Sequence, residues 1–494
     1  MQFIDWIVLA LYFVLLIAIG LWAYSRVNNS ADFFTAGGKL PWWLSGISHH
    51  VSGYSGAVFV AYAGIAYTHG FTLYIWWACS VGLATMLAAF YIAPRWARLR
   101  QYSGIQSPTE YLVVRYNIQT QQIIAWAGSI IKVLDVGGKL SAIAVLLNIF
   151  TGSSLAVGIL LAGTVSLIYI TIGGLWADVW NDFAQFMVQL LAGITMFVMI
   201  IIRMDDGIAG IFTMWDKLPS SHSQLFNDPY TITFAFAMLL INFFSYSGGT
   251  WNLATRFISS SSGKVARKAG ILSSILYFIW PLILLYPMFA APLFFDNLAD
   301  PTTSYGLMTI KFLPAGLVGL VLASMFANTL SMTSSDSNTI SAVISRDILP
   351  VIFPKVLNFT PQNALKLARL TTVIFTSLTI IIALNATHFG GVFGLIVSWF
   401  AALLGPIAIP MILGLLPIFK RSGSTAAIVS IFGGLIAFAV LKVIPDMSLA
   451  FEVGGPILTS FTLFVLMGFL NKKGVPLRVT ELHASLSHKI NKGQ

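Results

Sequence analysis

Apolar runs of roughly twenty residues, parted by short polar stretches, recur along the chain from Trp6 to Leu470. A run of that length crosses a hydrocarbon layer of about 30 Å as a helix. About thirteen such spans are expected, at 4–26, 42–70, 73–93, 119–150, 154–172, 177–203, 230–254, 269–295, 313–345, 367–386, 392–416, 424–443 and 453–471. The fold class that follows is an all-α polytopic membrane protein. Because the connections are short, residues 1–494 read as one integral-membrane unit. An odd number of crossings puts the N-terminus outside and the C-terminus inside. The lysine-bearing tail from Asn471 to Gln494 agrees with that orientation.

The span at 313–345 carries Leu330-Ser331-Met332-Thr333-Ser334-Ser335-Asp336-Ser337-Asn338. At about 100° per residue, Ser324, Asn328, Ser331, Ser334, Ser335 and Asn338 share one face, while Thr329, Thr333 and Asp336 share another. A helix polar on two faces cannot look at lipid. Hydroxyl and carboxylate oxygens at that depth mark an ion or substrate path, and hard-cation coordination is one way to compensate them. For any single serine, a bond back to the carbonyl four residues earlier is the alternative.

Span two is interrupted by Ser52-Gly53-Tyr54-Ser55-Gly56 and span seven by Ser245-Tyr246-Ser247-Gly248-Gly249. With an odd number of crossings between their starts, the second copy runs opposite to the first, as an inverted repeat of five helices plus five requires. The expected organisation is a peripheral first helix at 4–26, a first repeat over 42–203, a second over 230–416, two additional helices over 424–471 and a cytoplasmic tail over 472–494. Unwound backbone at membrane depth frees amides and carbonyls for an ion, a substrate or a neighbouring helix.

Charges inside spans narrow the candidates. Lys132, Asp135 and Lys139 lie on one face of span four, which must look into the bundle. For Lys132 an internal ion pair is preferred, and for Asp135 and Lys139 substrate contact is an equal alternative. In span six, Asp178, Asp182, Gln185 and Gln189 share a face, with Asp178 near the cytoplasmic end where it could be solvated and Asp182 a turn deeper. His49 and His50 point about 100° apart on a helix and read as packing or gate residues rather than metal ligands.

With 57% hydrophobic and 9% charged residues, a soluble domain is excluded, since such domains carry about 25% charged residues. The net charge of +10 does not point to nucleic acid, because most of the 27 Lys and Arg fall in one alternating set of loops and in the tail. Arg95, Arg98 and Arg100 are placed in one cytoplasmic loop, and Arg256, Lys264, Arg267 and Lys268 in another, facing lipid headgroups. Met1 to Asp5 lacks a basic leader region, so Trp6 to Ala23 reads as an uncleaved first helix. The single cysteine, Cys79, excludes an intrachain disulfide. P-loop, HExxH and G-x-S-x-G motifs are absent, and Ser262-Gly263-Lys264-Val265 lacks the glycine and hydroxyl residue that a P-loop needs. Direct ATP hydrolysis is not expected.

The chain resembles the sodium–solute symporter family, whose sugar, sialic-acid, proline and pantothenate carriers share a LeuT-like inverted repeat. The likeness rests on Ala36-Gly37-Gly38-Lys39-Leu40-Pro41-Trp42-Trp43, on Gly173-Gly174 through Asn181-Asp182 and Gln185, and on Thr255-Arg256. It also rests on Leu313-Pro314-Ala315-Gly316-Leu317-Val318-Gly319-Leu320 before the serine-rich helix and on Arg346-Asp347-Ile348-Leu349 after it. The resemblance implies a main sodium site built from the carbonyls of Val51, Tyr54 and Asn328 and the hydroxyl of Ser331. Met332 stands where many members have a second Ser or Thr, and a thioether is a poor ligand for a hard cation. A second sodium site would fall on Asp182, Ser334 and Ser335. Tyr246 matches the aromatic that gates the substrate pocket from the cytoplasmic side. The residues that grip galactose in the sugar branch correspond to Val58, Asp135, Phe243 and Tyr277, so a galactose-type hydrogen-bond set is absent. With Ser55 and Lys139 these complete the expected substrate or gate set, and Asp336 is a further intramembrane polar residue.

The expected function is sodium-coupled import of a small polar solute, a sugar or sugar acid ahead of an amino acid or monocarboxylate, with no enzymatic activity. The expected partners are sodium ions, the solute and the lipid bilayer, without nucleic acid, for a monomer in the plasma (inner) membrane. Two other classes stand against this reading. One is a membrane-embedded enzyme using Asp135, Lys139 and Asp336 for acid–base work. The other is a transporter-like sensor, for which the stretch after Phe469 is too short to hold a kinase domain.

Overall fold

Inside a bilayer no water is available to backbone amides and carbonyls, so a spanning chain must bond them within its own segments. The computed structural model describes residues 1–385, 404–472 and 474–487, and it meets that demand with helices. Among the described residues, β pairing is limited to the isolated bridges Leu40 with Ser260 and Asn227 with Tyr230. Nine helices among them are long and apolar enough to cross a membrane. One of these, Leu155–Arg203, is 49 residues long, about twice what a single crossing needs. At its middle Gly174 has φ 51° and ψ −144°, which breaks the axis between the expected spans at 154–172 and 177–203. The helix Ile118–Thr151, with 34 residues, also has the length to span, with Lys132, Asp135 and Lys139 near its middle. Residues 392–403 of the span expected at 392–416 lie outside the described residues, and the helix Gly405–Leu413 falls in its described remainder.

Both expected breaks are present. The first broken helix runs from Trp42 to Val51, loses helical geometry over Ser52 to Ser55, turns through Gly56–Phe59 and resumes as Ala61–His69. The second runs from Ile232 to Phe244, passes through the wide turn Ser245–Gly249 with Gly248 at φ 114°, and resumes as Asn252–Ile258. Gly248 adopts a backbone conformation that a side chain would strain.

The serine-rich helix, Leu317–Val343, lies at the centre of the bundle, and every residue from Val321 to Val343 is buried. Leu155–Arg203, Ile118–Thr151, Pro361–Leu384 and the first helix, Phe3–Tyr24, pack against it. The first helix is therefore more than peripheral. Its Leu11, Val14 and Leu21 are exposed as a lipid-facing side would be, but Asp5 is buried and its Oδ1 accepts from the amides of Gly316 at 2.7 Å and Gly319 at 2.9 Å. That carboxylate satisfies donors at the start of the serine-rich helix, which a helix cannot bond internally.

Two expectations about the cytoplasmic side change. Arg95, Arg98 and Arg100 lie on a helix, Ala93–Ser103, rather than in a loop, because Trp96, Ala97 and Leu99 give it an apolar face to bury. The tail likewise holds a helix, Leu477–Ser487, with Val479, Leu482 and Leu486 buried.

Candidate functional site

The hydroxyls of the serine-rich helix are gathered on two carboxylates. Ser331 Oγ donates to Asp182 Oδ1 at 2.5 Å, Ser334 Oγ donates to Asp178 Oδ1, and Ser335 Oγ donates to Asp178 Oδ2 at 2.9 Å. From the first broken helix, Ser48 Oγ donates to Asp182 Oδ2 at 2.5 Å and Ser52 Oγ to the same atom at 3.1 Å. Ser52 also lies 3.2 Å from Ser331 and 3.0 Å from Ser335, hydroxyl to hydroxyl. All seven side chains are buried, and serines merely bonding their own helix would not account for this face. Ser334 does make such a bond, to the Ser331 carbonyl at 3.1 Å, besides the one to Asp178.

The fourth element is Arg256, on the short helix after the second break. It is fully buried rather than facing lipid headgroups from a loop, because its ion-pair partners lie inside the bundle. Its Nη2 is 2.5 Å from Asp178 Oδ2 and 3.1 Å from Asp182 Oδ2, and also meets Ser52 and Ser335, while Nε donates to Ser48 at 2.9 Å. Asp178, for which solvation near the helix end was one reading, has no exposure at all. Arg256, Asp178, Ser48 and Ser52 are thus the site residues that sequence reasoning left out. The available signal was Thr255-Arg256 on the stretch that follows the glycine break at Gly248-Gly249.

The donor set is hydroxyl and carboxylate oxygen, which suits a hard cation. Two carboxylates against one guanidinium leave one negative charge, which a monovalent cation would balance, and the buried Nη1 of Arg256 has no hydrogen-bond partner among the described residues. Of the expected second-site residues, Ser334 and Ser335 donate to Asp178 rather than to Asp182, whose carboxylate takes Ser48, Ser52 and Ser331 instead. Of the expected main-site residues, Ser331 turns its hydroxyl to Asp182.

Around the first break, side chains bond the unwound backbone. Tyr277 donates to the His50 carbonyl at 2.8 Å, Asn252 to the Ser52 carbonyl at 3.2 Å and Tyr246 to the Gly53 carbonyl at 2.6 Å. These bonds pin the break without drawing on the carbonyls of Val51 and Tyr54. The amide of Gly56 donates to Thr329 on the serine-rich helix at 3.1 Å. Tyr246 and Tyr277 meet edge to face at 5.3 Å, Tyr54 lies 6.2 Å from Tyr277, and Tyr62 and Trp77 continue the aromatic surface at 4.7 Å. Val58 and Ser55 are buried beside the break, whereas Phe243 is half-buried and meets only Phe244, edge to face, among the ring contacts of the described residues. His49 bonds Ser273 and the Tyr246 carbonyl and His50 packs on Tyr54 and Tyr277, which agrees with packing or gate roles.

Asp135 and Lys139 are not free to meet a solute. Lys132 lies 3.1 Å from Asp135 and 2.9 Å from Asp336, and Lys139 lies 2.5 Å from Asp135 and 3.3 Å from Asp336. The four charges cancel, and they tie Ile118–Thr151 to the serine-rich helix. The preference for an internal pair at Lys132 therefore extends to the whole group, since each buried charge finds its opposite within hydrogen-bond reach.

Comparison with known proteins defines the class. A model of the sodium:solute symporter family matches residues 33–438, so the chain belongs to that family, whose members couple solute movement to sodium. The sodium/sialic acid symporter SiaT of Proteus mirabilis is 25% identical over 471 residues, covering 91% of each chain. The sodium/glucose cotransporter of Vibrio parahaemolyticus is 25% identical over 486 residues, covering 90% of this chain and 86% of that one. A solved structure of a Na+-coupled sialic acid symporter, in a substrate-bound outward-open state, superposes with a TM-score of 0.83 at 21% identity, over 95% of this chain and 98% of that one. The fold is thus that of a sodium-coupled symporter.

Proposed function

We propose that this chain imports a sugar or sugar acid together with sodium. The observation that carries the coupling is the cluster in which both broken helices, the serine-rich helix and Leu155–Arg203 all meet on Asp178 and Asp182. A cation at that point is felt by every element that must move when the pathway changes sides. Ser331 is assigned to the main sodium site with the carbonyls of Val51, Tyr54 and Asn328. Asp182, Ser334 and Ser335 are assigned to a second ion, with Arg256 balancing the carboxylate that remains.

The substrate reading rests on the aromatic surface of Tyr54, Tyr62, Trp77, Tyr246 and Tyr277 beside the break, which offers apolar walls with polar rims. It is supported by the sialic acid and glucose relatives. Tyr246 serves as the gate. In this reading the charge quartet holds two helices together and takes no part in solute binding. The protein works as a monomer with its N-terminus outside and its tail in the cytoplasm.

The test is uptake into proteoliposomes with and without a sodium gradient, preceded by a thermal-shift screen with sialic acid, neutral sugars, sugar acids, proline and short carboxylates in sodium buffer. A specific ligand stabilises by mass action. Stabilisation by a carbohydrate and sodium-dependent uptake of the same compound are expected. Stabilisation by proline or a monocarboxylate alone would overturn the substrate class.

A further inference from the structure

Away from the transport path, the cytoplasmic ends gather positive charge around a histidine with nothing to bond. The helix Leu477–Ser487 packs against Ala93–Ser103 and the short helix Leu112–Arg115. Arg98 Nη1 holds the Leu486 carbonyl at 2.6 Å, and Arg478 Nη2 holds the Tyr116 carbonyl at 2.6 Å. On the inner face His483 is only 5% exposed, and among the described residues neither of its ring nitrogens has a hydrogen-bond partner. The buried Nε of Arg95, on the helix beneath, has none either.

The charges acting on the His483 ring are all positive: Arg115, Arg95 and Lys420. Arg98 sits on the same helix as Arg95, with Arg267 acting on it from the helix Gly263–Ala290 packed alongside. Among the described residues none of these five basic side chains makes an ion pair with a carboxylate. Glu481, on the tail helix itself, is exposed. Arg115 spends its Nε and Nη2 on the carbonyls of Gly414 and Phe419, so it contributes charge here rather than a donor. A buried imidazole with two idle nitrogens and an idle guanidinium N–H, in a positive field, is a desolvation cost that a bound anion would recover.

We propose that the contact between the tail helix and Ala93–Ser103 binds a phosphate-type oxyanion, supplied by an anionic lipid headgroup or by free inorganic phosphate. Arg95 Nε–H and a protonated His483 donate to its oxygens, and the fields of Arg115 and Lys420 balance its charge. The bound anion turns a repulsive contact into a seat for the tail helix. None of these residues belongs to the transport cluster, so the inference stands or falls independently of the proposed substrate.

The test measures hydrogen exchange across 477–487 in the full chain, reconstituted in nanodiscs. One arm adds inorganic phosphate to zwitterionic discs, and the other compares discs with and without phosphatidylglycerol in phosphate-free buffer. At about ten times its Kd, a ligand of the docked tail slows exchange of that segment by about tenfold. Slowing by phosphate in zwitterionic discs assigns the site to the free anion, and slowing only with phosphatidylglycerol assigns it to the headgroup. In both cases the effect is absent in Arg95→Gln and His483→Gln. No slowing by either probe, equal slowing by chloride at matched ionic strength, or an undiminished response in His483→Gln overturns the proposal. Should Arg95→Gln fail to fold, His483→Gln decides alone.

Discussion

The hydroxyl of Ser331 donates to the carboxylate of Asp182 at 2.5 Å, joining the serine-rich helix to the helix after the Gly174 break. Ser331→Ala removes an oxygen from a desolvated site, a loss of about 1–3 kcal/mol. The sodium concentration for half-maximal uptake is expected to rise about tenfold or more. An unchanged sodium dependence in transport assays would remove Ser331 from the ion path.

Arg256 compensates two buried carboxylates at once. Arg256→Gln leaves both uncompensated, which costs about 3–5 kcal/mol. A large fall in melting temperature and loss of sodium-driven uptake are expected. Asp178→Asn combined with Arg256→Gln restores the net charge of the cluster, so the double variant should melt well above the single one.

The quartet of Lys132, Asp135, Lys139 and Asp336 makes a similar prediction with a different functional outcome. Lys139→Met alone leaves an unbalanced buried charge and destabilises by about 3–5 kcal/mol. Lys139→Met with Asp336→Leu is neutral again and recovers most of that loss. If the quartet only holds helices, the double variant keeps the wild-type solute affinity, measured by ligand-induced thermal shift. A tenfold weaker affinity would return Asp135 or its neighbours to the substrate site.

His483 gives the pH dependence. Burial, with Arg115, Arg95 and Lys420 nearby, pushes its pKa down from 6.5 to about 4. The docked helix therefore binds fewer protons than the released one, so without an anion docking is fully favourable above pH 6.5 and weakens as pH falls toward 4. In phosphate-free zwitterionic nanodiscs, proteolysis of 477–487 should accelerate across that window. His483→Gln should flatten the profile.

The spans and both breaks were legible because they depend on local composition. Apolar length fixes a crossing, and Ser52 to Gly56 and Ser245 to Gly249 interrupt it within a single turn. Helix boundaries such as Ser424–Val443 agree with expectation because Gly423 and the polar residues beyond Val443 end the apolar run. Arg256 was not legible in the same way. Its partners Asp178 and Asp182 are 78 and 74 positions away, and only the packing of four elements turns a basic loop residue into a buried counter-ion. Asp135 and Lys139 show the same limit, since their one-turn spacing was visible while Asp336, nearly two hundred positions on, was not. The tail helix escaped notice because its short apolar stripe is far below the length that marks a span.

Asp5 has a consequence for how the chain is made. Its carboxylate bonds the amides of Gly316 and Gly319, which follow it by 311 and 314 positions. A ribosome that has just delivered the first helix to the bilayer has delivered a buried-to-be acid with no partner. That acid must wait near the interface until two thirds of the protein has been threaded through. The first helix thus settles at its final depth only after the start of the serine-rich helix has arrived, and the order in which these two helices are synthesised is not the order in which they are completed.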